Sequence, residues 1–212
     1  MIRRTFIVGA AALAVVIAGA CTDTAIVALR IDLLAYFSAD TTTIDVSVPP
    51  SIPLRVYLLP GVYVDPAGTG PDGTAREGAQ VSIPQPAESS GLDVVAAIRA
   101  AVRVANRSST EPVPPLSVRA YVADATATDV YAAGDALPAA TLPSVAPGAS
   151  DTLAMEAVVS SGDTAYDALL SGEFRLGVLL EVDQTGSASV PVTLDLESLE
   201  IEARVRPFKA LE

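Results

Sequence analysis

Residues 190–205 read VPVTLDLESLEIEARV. Val190, Val192, Leu194 and Leu196 alternate with polar residues, and the apolar set then changes phase to Leu199, Ile201, Ala203 and Val205. A period of two puts successive side chains on opposite faces of a strand, so this stretch predicts a long strand with one buried side. A slip of one residue would turn every later apolar group to water unless the backbone absorbs it. The phase change therefore predicts a β-bulge near Glu197-Ser198. The acids Asp195, Glu197, Glu200 and Glu202 read as the wet face of a terminal strand and as a guard against edge pairing.

The same alternation runs outward through the chain. Val27, Leu29, Ile31, Leu33, Ala35 and Phe37 share a face, opposite Arg30, Asp32 and Tyr36. Ile44, Val46 and Val48 form a short strand stopped by Pro49-Pro50, and Leu54, Val56 and Leu58 form another with Arg55 and Tyr57 facing out. Gly61 leads into Val62-Tyr63-Val64, residues 65–78 read as a loop, and Ala79 to Ile83 as a strand ended by Pro84 and Pro86. Leu92 to Ala105 alternates as a strand, although its alanines would also permit a helix over Asp93 to Ala101. Leu116 to Val122, Leu153 to Val159 and Phe174 to Val182 are strands of the same kind, with a Pro/Ala-rich connection over about 134–150. Asp163 can cap a short helix over Thr164 to Leu170, with Gly172 at its end. Many short alternating strands separated by Pro/Gly turns predict an all-β fold, an immunoglobulin-like antiparallel β-sandwich with one short helix. The Cys–Trp–Cys signature of true immunoglobulin domains is absent, so the likeness is one of architecture.

Pro50 to Leu58 (PSIPLRVYL) aligns without gaps to Pro114 to Val122 (PPLSVRAYV), and Ser89-Ser90-Gly91 recurs as Ser160-Ser161-Gly162. Either residues 22–90 and 91–212 are two related units of the sandwich, or Pro-bounded strands in a biased sequence simply look alike. Residues 92–183 resemble the late-embryogenesis-abundant (water-stress) β-sandwich family. The likeness lies in a strand ending at Asn106, with Arg107 where the family has Pro, then a strand, a turn with Pro147-Gly148, a strand, a short helix and a strand. The resemblance implies a non-catalytic module. Asn106-Arg107-Ser108 also fits a glycosylation sequon.

At the other end, Arg3 and Arg4 precede the apolar run Phe6 to Ala20. Fifteen helical residues rise about 22 Å, short of the ~30 Å hydrocarbon layer, so the run reads as a cleaved signal peptide rather than a membrane span. Ile17-Ala18-Gly19-Ala20-Cys21 resembles the lipobox of bacterial lipoprotein precursors. The resemblance implies cleavage after residue 20, a thioether-linked diacylglycerol on Cys21 and an acyl chain on its new amine. Arg3-Arg4-Thr5-Phe6-Ile7 resembles the twin-arginine export motif, and two arginines also suit the general secretory route. Competing roles for Cys21 fare poorly: it is the one cysteine of the chain, so a monomer offers no disulfide partner, and there is no histidine to activate a thiol.

Composition narrows the function. Removing residues 1–20 leaves 11 basic and 25 acidic residues and moves the net charge from −12 to −14. Such a chain repels nucleic acid, which binds proteins largely through Lys and Arg. The chain has no Trp and few aromatics, which disfavours an aromatic sugar-binding platform. Without histidine there is no Ser-His-Asp triad and no imidazole metal site. Asp65, Asp72 and Glu77 are weak candidates for a calcium loop, because Ala67, Thr69 and Arg76 stand where an EF-hand needs ligands. The expectation is a lipid-anchored, non-enzymatic envelope module without cofactor, meeting another envelope protein through loops or a strand edge. A carboxylate- or calcium-dependent hydrolase and a carrier of a small apolar ligand are the alternatives.

Overall fold

The structure is a computed structural model and describes residues 27–36, 42–50, 53–59, 63–65, 70, 76–82, 94–160, 162–182 and 188–205. The run read as a signal peptide, Cys21, Asp72 and Phe37 lie outside these residues. Among the described residues twelve strands make two antiparallel sheets, as the alternation predicts.

Sheet A holds β1 (Val27–Asp32), β2 (Thr43–Val48), β6 (Val94–Asn106), β10 (Ser150–Val159) and β12 (Val190–Val205). Sheet B holds β3 (Leu54–Tyr57), β4 (Tyr63–Asp65), β5 (Ala79–Ser82), β7 (Leu116–Asp124), β8 (Asp135–Ala136), β9 (Ala140–Leu142) and β11 (Glu173–Val182). The order in A is β1–β12–β6–β10, with β2 also on β12; in B it is β4–β3–β11–β7–β8, with β5 on β11 and β9 on β7. The chain crosses between sheets repeatedly, and the strands of residues 27–82 pair with β12 and β11 from the far end of the sequence.

The bulge falls where the phase change puts it. Leu196 pairs with Val102 and Ser198 with Ala101, leaving Glu197 as the extra residue. The neighbouring edge is interrupted at the same point. β1 pairs with Glu200–Val205 and β2 with Val190–Asp195, and the chain between them leaves and rejoins β12 around the bulge. Leu33 N–H donates to the Leu199 carbonyl and Leu196 N–H to that of Thr42, closing the gap from both sides. A 3₁₀ turn at Leu34–Tyr36 begins the excursion, where continued alternation suggests more strand; the Asp32 carboxylate accepts from Leu34 N–H and turns the chain.

β12 is therefore a central strand and not an exposed edge, which corrects the edge-guard reading of its acids. Asp195, Glu197 and Glu200 do meet water, but Glu202 is buried.

Between the sheets lies one core that includes Leu54, Val56, Ile98, Val102, Leu116, Leu153, Phe174, Leu176, Leu180, Leu194, Leu199 and Ile201. Each such side chain contributes about 1.5–3 kcal/mol by leaving water. The segment Leu92–Ala105, open to two readings, is strand from Val94, because strand geometry sends Ile98, Ala100, Val102 and Val104 together into that core. Among the described residues two α-helices are present where one was expected: α1 (Val130–Ala133) and α2 (Thr164–Ser171). α2 ends at Gly172 in the left-handed region as expected. Asp163 precedes it, but its carboxylate accepts from Ser160 N–H instead of capping the helix.

Candidate binding surface

Of the three residues that the sequence singles out for metal, Asp65 and Glu77 are described, and each has a partner within the protein. Asp65, the last residue of β4, is buried; it lies across the ladder from Arg55 and accepts from Gly70 N–H at 2.7 Å. Glu77 is exposed and pairs with Arg175 at 3.3 Å. Asp72 lies outside the described residues. Among the described residues no group of three or more acidic, His or Cys side chains is placed to hold a metal ion.

A different set does converge, on the outer face of sheet B. Even-numbered residues from Leu116 to Val122 on β7 and from Phe174 to Val182 on β11 enter the core, so odd-numbered ones look outward. Tyr57 on β3 lies across the ladder from Leu179 and Tyr121 on β7 across from Gly177, on either side of β11 and both on its outward face. Tyr63 comes beside Tyr57 from β4. Tyr131 descends from α1 between the two, its ring centroid 4.7 Å from that of Tyr57 and 5.2 Å from that of Tyr121, both edge-on. Tyr63 and Tyr57 follow at 6.0 Å. Edge-to-face rings at these separations attract by about 0.5–1.5 kcal/mol per pair beyond their area. Tyr57, expected to face water, is only 3% exposed, because its neighbours cover it.

Local sequence puts Tyr131 there. Asp129 accepts from the amides of Tyr131 and Ala132 and so starts α1, and Arg76 pairs with the same carboxylate at 2.8 Å. Gly134 N–H closes the four-residue helix onto the Val130 carbonyl. Gly177 then makes the docking possible. A Cβ there would lie 2.7 Å from Val130 Cγ1 and 2.8 Å from Tyr131 Cε1, so no other residue lets α1 come down on β11. Glycine weakens a strand interior, and one in the middle of FRLGVLLEV signals such a close approach. That signal, with the Asp129 to Gly134 spacing, was available in the sequence.

Burial raises the Tyr57 hydroxyl above its ordinary value, assisted by Asp65 and Glu181 and opposed by Arg55. Tyr131 is raised further, again chiefly by burial and then by Tyr57 and Tyr121. Its hydroxyl is buried and approaches the Val178 backbone without completing a hydrogen bond. Both tyrosines hold their protons more tightly folded than unfolded. Their contribution to stability is thus complete below the ordinary value of 10.0 and is lost as pH rises through and beyond it. Tyr131→Phe is expected to be neutral or to stabilise by up to about 1 kcal/mol, since it removes a hydroxyl that is poorly bonded. It should also reduce the loss of stability above that pH. Denaturation midpoints with tyrosinate absorbance across the alkaline range check both; a clear destabilisation at neutral pH would mean that the hydroxyl is well bonded.

Around the rings, Arg55 pairs with Glu181 at 3.0 Å, while Arg119, exposed and across the ladder from Leu179, makes no ion pair among the described residues. Partly exposed tyrosines beside an unpaired arginine can stack on and hydrogen-bond to a partner, and these two residue types lead at binding hot spots.

The outer face of sheet A carries charge instead. Glu202, 4% exposed, accepts from Arg99 and from Arg30, and Arg99 also grips Glu156 at 2.7 Å. This Arg30–Glu202–Arg99–Glu156 row spans β1, β12, β6 and β10.

No family model matches the chain, and no curated protein sequence does. Among solved structures the chain is similar to the Eiger TNF of S. frugiperda, at 13% identity and a TM-score of 0.38, over 85% of this chain and 92% of that one. It is also similar to a chain of the infectious bursal disease virus Gx strain, at 9% identity and a TM-score of 0.42, over 88% of this chain and 33% of that one. At these values neither likeness bears on function.

Proposed function

We propose that the chain is a lipid-anchored cell-envelope lipoprotein whose β-sandwich is a non-enzymatic binding or structural module. The observation that carries this reading is Ile17-Ala18-Gly19-Ala20-Cys21 at the end of a short apolar leader. The position of the fold supports it. β1 begins at Val27, six residues after Cys21, a step of at most about 20 Å, so a lipid on that sulfur would hold the sandwich close to the bilayer. No helix among the described residues is long and apolar enough to cross a membrane. Two or three acyl chains, at about 0.8 kcal/mol per buried CH₂, would make the attachment effectively permanent. The partner is another envelope protein, engaged by Tyr63, Tyr121, Tyr131 and Arg119 on sheet B.

Intact mass of the membrane-extracted protein from a bacterial host tests the anchor. The expected species lacks residues 1–20 and carries acyl mass on Cys21, and Cys21→Ser loses both changes and leaves the lipid phase. A wild-type chain that keeps its leader, or carries no adduct, refutes the anchor. For the partner, Arg119→Ala and Tyr121→Ala should each reduce crosslinked capture of a stoichiometric envelope protein.

A further inference from the structure

The sandwich protects most of its edges by keeping them short. β4 has three residues, β8 two and β9 three, and β1 and β2 are six each with an excursion between them and Pro49-Pro50 behind. β10 is the exception: ten residues, with no Pro, Gly, Lys or Arg, pairing only with β6 among the described residues. Long plain edges of this kind are templates for another strand.

Its free groups can be identified. Asn106 N–H donates to the Ala149 carbonyl, and the antiparallel pattern repeats every second residue. Odd-numbered residues of β10 thus bond to β6, while the amides and carbonyls of Ser150, Thr152, Ala154, Glu156 and Val158 point away from it. Those five residues are all exposed, and Val158 is 53% exposed, high for a large apolar side chain.

We propose that this edge pairs with the same edge of a second copy, antiparallel, with the two-fold axis at Ala154. Charge selects both the occupant and the register. In this register Thr152 lies opposite Glu156 of the second copy and Ser150 opposite its Val158. Arg103, exposed on β6 beside Thr152, makes no ion pair among the described residues. The second copy's Glu156 arrives two strand spacings away, about 10 Å between backbones, a gap that the two long side chains close. Each dimer gains two such pairs. Shifting by two residues in either direction puts Glu156 opposite Ser150 or Ala154, whose β6 neighbours are Ala105 and Ala101, and the pairs vanish. A register centred on Glu156 sets like charges face to face. Two features temper association: the Asp151 carboxylate occupies the Thr152 amide at 2.8 Å and must release it, and Arg99 already holds Glu156 Oε1 at 2.7 Å, so the second copy's Arg103 takes Oε2. This inference stands apart from the lipid anchor and from the tyrosine face.

Sedimentation of the full chain in detergent, from about 1 to 200 μM, tests it. The expected result is a reversible monomer–dimer equilibrium that weakens with salt. Ala154→Pro should abolish the dimer while leaving the monomer folded, because the lost N–H serves no bond within its own sheet. Arg103→Glu, at an exposed position, should weaken dimerisation about tenfold through two lost pairs, and Asp151→Ala should strengthen it. A chain that stays monomeric throughout this range overturns the proposal. So does a dimer indifferent to Arg103→Glu, or one that survives in folded Ala154→Pro.

Discussion

Asn106→Ala is expected to lower the unfolding free energy by about 3 kcal/mol. Asn106 ends β6, is buried, and spends its whole amide on three separate backbone groups. Its Nδ2 donates to the Glu111 carbonyl at 2.9 Å and to the Val145 carbonyl at 3.0 Å, and its Oδ1 accepts from Ser108 N–H at 2.9 Å. The β6–β7 turn and the approach to β10 are thereby tied to one side chain. Alanine takes this partner from the Glu111 carbonyl and the Ser108 amide and leaves the Val145 carbonyl with Val113 N–H only, and each polar group so orphaned costs about 1–3 kcal/mol before the corner relaxes. Asn106→Asp, although the same size, should cost at least as much, because a carboxylate oxygen would face two carbonyl oxygens. Urea midpoints at neutral pH read both. A loss under about 1 kcal/mol for alanine would mean that water reaches those groups. The same bonds remove Asn106 as a glycosylation acceptor in the folded chain.

The second large effect is an asymmetry on sheet A. Arg99→Ala is expected to cost about 2 kcal/mol, and Glu202→Gln less than about 1 kcal/mol. Burial decides the order. Glu202 is 4% exposed, so removing Arg99 takes a guanidinium from a desolvated carboxylate, with Arg30 still pairing it. Removing the carboxylate's charge instead leaves Arg30, 66% exposed, and Arg99, 30% exposed and still paired with Glu156. Those guanidiniums can turn to water. The hydrogen bonds to Glu202 first, and to Glu156 next, hold the Arg99 proton above its ordinary range. Glu202→Gln proving the costlier change would show that the carboxylate is solvated in the folded state.

Both residues are visible in the sequence, and neither role is. Asn106 stands at the end of an alternating run, where a polar residue looks like any other turn signal. Its value depends on Val145, whose carbonyl is brought to it by the fold across 39 positions. Glu202 follows the same alternation as Asp195 and Glu200, which are partly exposed. Only the neighbours on β1 and β6 distinguish it, by laying two arginines over it. The tyrosine face was missed because two-fold periodicity reports which side of a strand a residue occupies and not what covers that side. Tyr57 and Tyr121 read as ordinary outward positions, and nothing marks Tyr63 or Tyr131 as their neighbours until α1 drops onto Gly177.

Alternation and the bulge are local consequences of backbone geometry. A strand has two faces, so a run such as Val190–Val205 states its buried side, and the place where it slips, without reference to any neighbour. The leader-like and lipobox-like patterns of residues 3–21 are local in the same sense, being a matter of charge, apolar length and one sulfur. Which strand stands at the centre of a sheet depends on pairings across the whole chain, so only the tertiary structure could move β12 inward and leave β10 as the long open edge. Burial of Glu202 and convergence of the tyrosines follow from that placement, since desolvation and ring contact belong to neighbours in space rather than in sequence.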